Sequence, residues 1–443
     1  MTDYDVIISG GGMVGASLAR SLAGADLRVA VIEAVPHDAT AQPSYDERAI
    51  ALAYGTRRIL ERLGAWADLA PAAEPIRAVH VSDRGHFGFT RLDARDEEVE
   101  ALGYVVTARD LGRALLAPLI GHAGLKADLP EKRSVGRASA RYDDQRDQQA
   151  VSRASARRHA PTLFCPARVA DFVVESDGVR VTLAPVGAPS TARSGSESTL
   201  TAGLLVAADG GRSAIRERLG IPQRHHAYGH HAIIANVTPV LPHQGVAYER
   251  FTDSGPLALL PMTANRAGLV WTVRDADLAG VLALDDRAFL ASLQERFGFR
   301  LGRLGAVGRR SHYPLELRLA QTQVLERVAI IGNAAHTVHP IAGQGFNLGI
   351  RDVAALADTL IEAHRHGRDL GSLDVLRPYA DGRRRDQRAV ALATDTLARL
   401  FVNPLAPLRL ARNLGMVGLD TLPPLKHLLA RAAMGLSSEG QRQ

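Results

Sequence analysis

A single cysteine, Cys165, stands in a chain of 443 residues. It excludes an internal disulfide and any multi-cysteine metal site, and sparse cysteine suits a reducing compartment such as the cytoplasm. No run reaches the roughly eighteen apolar residues that a membrane span needs. The opening segment, MTDYDVIISGGGM, has no basic stretch followed by an apolar one, so no secretory signal is expected. Lysine is nearly absent: only Lys126, Lys132 and Lys426 occur among 53 basic residues, and the rest are arginine. The net charge is +6, but Lys126 to Pro161 supplies +4 of it and leaves +2 for the remainder. That is one local segment rather than a nucleic-acid-binding face. With 46% apolar and 23% charged residues, the composition also excludes a wholly disordered chain, a collagen and a coiled coil.

What is present is a sequence of strand-to-helix units. Tyr4 to Ser9 reads as a buried strand, broken by Gly10-Gly11-Gly12. Met13 to Ala23 reads as a helix, and Arg28 to Ile32 as a second strand ending at Glu33. Together these make a complete βαβ unit. Leu204 to Ala208 is another buried strand, and the Ser/Thr/Gly-rich Gly187 to Gly203 before it reads as a loop. Ile233 to Val273 is rich in strands. Phe346 to His364 carries an apolar stripe at helical spacing through Phe346, Ile350, Val353, Ala357 and Leu360. Val390 to Leu436 is helical and apolar, interrupted by Pro404, Pro407, Pro423 and Pro424. Lys126 to Pro161 has too few large apolar residues to offset its chain entropy and is expected to be a disordered insertion.

Three motifs carry chemistry. The first is Gly10-x-Gly12-x-x-Gly15 between strand and helix. Its glycines permit the tight turn, the approach of a pyrophosphate to the backbone, and close helix–strand packing. The helix N-terminus offers free N–H groups to phosphate. Glu33, at the end of the second strand, is placed to accept from an adenosine ribose hydroxyl. The pattern indicates a dinucleotide and does not by itself separate NAD from FAD. The second motif is Asp209-Gly210-Gly211-Arg212-Ser213-x-x-Arg216, again strand, turn and helix. The third is Gly332-Asn333-Ala334-Ala335-His336 through Pro340-Ile341-Ala342-Gly343-Gln344-Gly345-Phe346-Asn347, which opens the long helix.

In this order and at these distances, the three motifs resemble those of the class A flavoprotein aromatic hydroxylases, the p-hydroxybenzoate hydroxylase group. Asp46-Glu47-Arg48-Ala49-Ile50-Ala51-Leu52, His80 to His86, Glu249-Arg250-Phe251-Thr252 and Pro340 to Gly349 narrow the resemblance. They are similar to the ubiquinone-biosynthesis hydroxylases, in particular the 2-octaprenyl-6-methoxyphenol hydroxylase branch. The resemblance implies an α/β fold: a Rossmann-like FAD-binding domain, an inserted mixed β-sheet substrate domain, and C-terminal helices. The expected boundaries are 1–76, 103–125, 162–225 and 313–390 for the FAD domain, 77–102 and 226–312 for the substrate sheet, and 391–443 for the helical tail, with 126–161 as the insertion.

The resemblance further implies FAD as cofactor and NAD(P)H as passing reductant, since no second GxGxxG is present. It implies O2 and a polyprenylated phenol as substrates, with one hydroxyl added to the ring. Gly10, Gly12, Gly15, Glu33, Arg48, Arg113, Asp209, Gly210, Asn333, Gly345 and Asn347 would bind FAD. Pro340 would lie against the substrate ring, and Gly345, Phe346 and Asn347 would turn N–H groups toward the reduced flavin. Leu257 to Met262, with Phe251 and Trp271, form a candidate roof that keeps water out. Two readings compete: a related hydroxylase acting on another ring carbon or a soluble aromatic, and a flavin-bound scaffold subunit docking other quinone-biosynthesis proteins. The chain is expected in the cytoplasm, with peripheral contact at the inner membrane through the apolar, arginine-bearing tail as a further reading. His336 and His339, and the cluster His225, His226, His230 and His231, lack cysteine or ordered acidic companions, so no metal is assigned.

One position departs from the family pattern. Most class A hydroxylases have Asp where this chain has Asn333. An amide can still accept from a ribityl hydroxyl. Asn333→Asp is therefore expected to hold its flavin as well as or better than the parent. The 450 nm absorbance per mole of purified protein checks this, and a colourless variant would refute the assignment.

Overall fold

A computed structural model describes residues 2–36, 47–122, 160–186, 198–403 and 405–436. The expected insertion at 126–161 lies, but for its last two residues, outside them. Tyr4–Ser9 forms the middle of an eight-stranded sheet, parallel to Val29–Ile32 on one side and to Ser198–Ala207 on the other. Thr162–Phe164 and Val328–Ile330 extend the parallel set at either side. Such strands are covered on both faces, which explains the unbroken apolar runs in the sequence. Val6, Ile8, Val29, Val31, Leu204 and Val206 pack against helices Met13–Leu22, Ala108–His122 and Gln344–Arg365. Ile7, Ala30, Ile32, Leu205 and Ala207 face a second core that includes Phe172, Val181 and Leu183 from the antiparallel strands Ala167–Val174 and Val179–Pro185.

The second sheet has nine strands. Ala78–Asp83 and Val246–Thr252 run parallel, and the other pairings are antiparallel, so it is mixed. Helix Asp286–Phe297 covers one of its faces through Phe289, Leu293 and Phe297. A small antiparallel sheet, Ala49–Ala53, Gly103–Thr107 and Glu74–Ile76, lies in the chain before and after the first strands of the second sheet. The α/β class, the mixed second sheet and the C-terminal helices are as expected.

Three details differ from the sequence reading. Ser198–Gly203, read as loop, is strand, because Thr199 to Ala202 pair with Val179 to Thr182 across an antiparallel register. Residues 313–320, assigned to the cofactor half, continue the strand Ser311–Ala320 of the second sheet. Helix Leu373–Val402 runs straight through the boundary drawn at 390/391. The tail then forms helices Ala406–Thr421 and Pro423–Ala433. Their prolines sit in the first turns, where the missing N–H is no loss.

Helix Ala406–Thr421 is fastened to the second sheet by buried polar bonds. Asp83 and Arg412 form an ion pair at 2.8 Å with side chains 4% and 5% exposed. Asn413 donates to Asp83 at 3.0 Å and accepts from the Gly88 N–H at 2.8 Å. Thr90 donates to the Met416 carbonyl at 2.7 Å. Phe251 stacks on Phe401, ring centroids 3.4 Å apart. Asp83→Asn would leave the Arg412 charge buried without its counter-ion, and the expected cost is about 3 kcal/mol of stability. Urea unfolding checks this; a loss smaller than about 1 kcal/mol would mean the tail is held chiefly by its apolar contacts.

Candidate active site

The three motifs meet at the C-terminal ends of the parallel strands. Gly10 has φ +101°, and a Cβ there would lie 2.5 Å from the Ala208 carbonyl oxygen. A Cβ on Gly15 would lie 1.8 Å from the Gly10 oxygen. These close approaches need glycine and leave the backbone open to a ligand. Gly12 is the N-cap of helix Met13–Leu22. Glu33 is held at the fingerprint itself: its carboxylate accepts from the Gly11 N–H at 2.6 Å and from the Val35 N–H at 2.8 Å.

Asp209 and Gly210 (φ +88°) form the second turn. The Oδ1 atom of Asp209 is buried without a hydrogen-bond partner, and burial raises its pKa. Arg216, 2% exposed, donates to the carbonyls of Gly211 at 3.2 Å and Ala334 at 3.0 Å, and so ties the second motif to the third.

The third motif is anchored from below. Asp352 is fully buried. It accepts from His336 Nε2 at 2.5 Å, Arg383 Nε at 2.8 Å, Gln387 Nε2 at 2.9 Å and the Gly332 N–H at 3.3 Å. Burial alone would raise its pKa, but the His336 and Arg383 contacts win and hold the carboxyl below the usual range. Asn347 braces the helix start. Its amide accepts from the Ala53 N–H and the Thr56 hydroxyl and donates to the Ala51 and Gly343 carbonyls, all within 2.7–2.9 Å. Its side chain has no capacity left, and its N–H falls within the helix ladder. The free N–H groups of the first turn are those before it, Gly345 and Phe346 included.

A cavity of about 840 Å³ opens beside these turns. Arg48, Asn333, Pro340, Gly345, Phe346 and Asn347 all line it, near Ile50, Leu52 and Tyr313. Arg48 lies over the Tyr313 ring at 5.0 Å, while Glu47 pairs with Arg109 at 2.7 Å. Arg113 is not brought there. Its side chain is 69% exposed and 3.8 Å from Asp110, so its role in cofactor binding rests on the resemblance alone. The expected roof is half correct. Phe251, Pro256, Ala258, Leu260, Val270 and Thr272 face the cavity. Leu257, Leu259 and Trp271 point the other way, into the core under helix Asp286–Phe297, as strand alternation requires. The far wall is Leu397, Leu400, Phe401, Arg412, Met416 and Leu419 from the C-terminal helices.

A family model described as an FAD binding domain matches residues 3–393. The chain is 38% identical over 431 residues to ubiquinone hydroxylase UbiL of Rhodospirillum rubrum, covering 97% of this chain and 89% of that protein. It belongs to the FAD-dependent ubiquinone hydroxylases. The hydroxylase is also 30% identical to 3-demethoxyubiquinol 3-hydroxylase of Escherichia coli, with 98% of each chain covered. Its fold is that of p-nitrophenol 4-monooxygenase PnpA from Pseudomonas putida, at a TM-score of 0.70 and 18% identity over 97% of this chain and 98% of that one.

The residues present fit FAD. The glycine cradle, the carboxylate at the fingerprint, the open Asp209 acceptor and the cavity at a helix start are the features a dinucleotide with a large ring system needs. The sequence reading missed the supports. Asp352, Arg383 and Gln387 lie on helices away from the motifs, and only the buried register of Asp352 on its helix hinted at them.

His339, beside Pro340, is 3% exposed, and burial with the nearby His230 brings its pKa down to about 4. It is therefore neutral at pH 7. Between pH 6.5 and 4 the unfolded chain takes up a proton at this residue that the folded chain refuses, so stability falls with pH. The hydroxylase should lose roughly 3 kcal/mol across that window relative to His339→Gln. Denaturant titrations at pH 7, 5.5 and 4 check this. Asp352 acts in the same direction, but only where an unfolded carboxyl titrates, at about pH 4 and below.

Proposed function

We propose that the hydroxylase adds one hydroxyl to the ring of a 2-polyprenyl-6-methoxyphenol, giving the 1,4-hydroquinol, with NAD(P)H and O2. The observation that carries this reading is the lining of the cavity. It runs from the turn at Asn333, Pro340 and Gly345 to Leu397, Leu400, Met416 and Leu419 on the C-terminal helices. A phenol alone would use only the end at the turn. An isoprenoid tail matches the apolar remainder. A second reading is favoured by the E. coli relative, whose name places its hydroxylation on a demethoxyubiquinol. The same cavity would then present a different ring carbon.

The redox chemistry, hydride acceptance from NAD(P)H and activation of O2, is supplied by FAD when it is bound. The chain's own residues do the rest. Gly10, Gly12, Gly15 and the start of helix Met13–Leu22 receive the pyrophosphate, and Glu33 the ribose. Asp209 and Asn333 offer acceptors at the second and third turns. The N–H groups of Gly345 and Phe346, at the positive end of the 22-residue helix Gln344–Arg365, stabilise negative charge developing beside them. Pro340 limits the backbone against which the ring lies. Ala258, Leu260, Val270 and Phe251 would keep water from the wall they form over the bound ring system.

The test is anaerobic reduction of the purified protein by NADPH and by NADH, followed at 450 nm, with and without a short-chain 2-prenyl-6-methoxyphenol. Faster bleaching with the phenol, then hydroquinol on admitting air, is expected. A yellow protein on which the phenol has no effect would remove this substrate.

A further inference from the structure

The last two helices have an outer face that nothing among the described residues covers. Leu408, Leu410, Leu414, Leu422, Leu425 and Leu428 are between 37% and 67% exposed. They are not fraying residues: helix Ala406–Thr421 is clamped to the second sheet by Asp83–Arg412, Asn413–Gly88 and Thr90–Met416, and helix Pro423–Ala433 is tied down by Lys426–Asp96 and His427–Glu97. Exposed apolar residues occur elsewhere, Phe87 and Phe299 among them, but their densest run is this one. It lies on the segment whose inner side walls the cavity through Gly415, Met416, Leu419, Leu429 and Ala433. A soluble monomer rarely displays a contiguous apolar patch of this kind without a use for it.

Charge identifies the occupant. From Leu405 to Leu436 there are four basic residues, Arg409, Arg412, Lys426 and Arg431, and one acid, Asp420. Arg412 and Lys426 are neutralised by Asp83 and Asp96. Arg409 and Arg431 have no ion-pair partner among the described residues. An amphipathic segment with leucine outward and unpaired arginine beside it suits a surface that is apolar within and anionic at its rim. No helix among the described residues is long and apolar enough to cross a membrane, so the contact is superficial.

We propose that the face formed by helices Ala406–Thr421 and Pro423–Ala433 docks on an anionic lipid bilayer, and that the cavity behind it receives its apolar ligand from the acyl layer. The docking rests on the leucine and arginine face; the delivery of a prenylated phenol rests on the function proposed above. The leucines lie at the lipid boundary, Arg409 and Arg431 at the headgroups. A tail can then enter between the helices without crossing water.

The test is co-sedimentation of the FAD-loaded protein with phosphatidylcholine vesicles, with and without phosphatidylglycerol. Binding is expected with the anionic vesicles and should weaken at high salt. Leu410→Glu/Leu414→Glu/Leu428→Glu should weaken it by at least about tenfold, and Arg409→Gln/Arg431→Gln by about fivefold per arginine. All five side chains lie outside the cavity lining, and an unchanged 450 nm band and melting temperature will show that each variant is folded. If the leucine variant does not fold, the arginine pair carries the test. A parent protein that stays in the supernatant with every vesicle overturns the proposal, as does a folded leucine variant that sediments like the parent. A parent dimer in analytical ultracentrifugation that the leucine variant dissolves also overturns it, because a second copy would then cover the face. Vesicle binding with no effect of the phenol on flavin reduction upholds the docking and removes only the substrate reading.

Discussion

Asp352 carries a full charge at zero solvent exposure, and such a group persists only where its oxygens are fully engaged. Its partners come from separate parts of the chain: the Gly332 N–H and His336 from the third motif, Arg383 and Gln387 from the helix that follows. Asp352 itself lies on the long helix whose first turn faces the cavity. One carboxylate therefore fixes the turn bearing Asn333, the helix bearing Gly345 and Phe346, and the helix whose end reaches the cavity's far wall. Arg383 also pairs with Asp386, 2.7 Å away, which in turn lies 3.1 Å from Arg351. The binding surface presents few charged groups because the charges that shape it are buried beneath it.

The cavity wall shows the same division of labour in the second sheet. Along Gly255–Met262 and Arg266–Arg274, alternate residues serve two compartments. Ala258, Leu260, Val270 and Thr272 line the cavity, while Leu257, Leu259, Leu269 and Trp271 build the core shared with helix Asp286–Phe297. Small side chains at the cavity and large ones in the core leave space where a ligand must fit. Asn347 works on the other wall, where two of its four amide bonds join the long helix to strand Ala49–Ala53 and a third reaches Thr56 just beyond it.

The parts legible in the sequence are those where a short backbone segment does the chemistry. Gly10 and Gly210 announce turns, and Gly15 a close approach, that favour glycine, and Glu33 follows at a fixed interval. The central parallel strands declared themselves as unbroken apolar runs. Trp271 was misread because a strand's composition says that it is buried but not which face a given residue takes; that depends on register, set by partners far away. Ser198 to Gly203 looked like loop because Ser, Thr and Gly weaken the strand signal, and its antiparallel neighbour supplies the missing stabilisation. Asp352, Arg216 and Arg412 were invisible as functional supports because their partners lie 16 to 329 residues away.

Helix Leu373–Val402 joins the two ends of this arrangement. Arg383 and Gln387 hold it beneath the third motif, and Phe401 holds it to the sheet beside the cavity's far wall. Pro378 precedes both anchor points, so no proline interrupts the stretch between them. The eighteen helical steps from Arg383 to Phe401 make an unbroken strut of roughly 27 Å. The turn at Gly332 and the far wall at Phe401 are thereby carried on one beam, so the length of a single helix sets the span between the floor of the cavity and its opposite side.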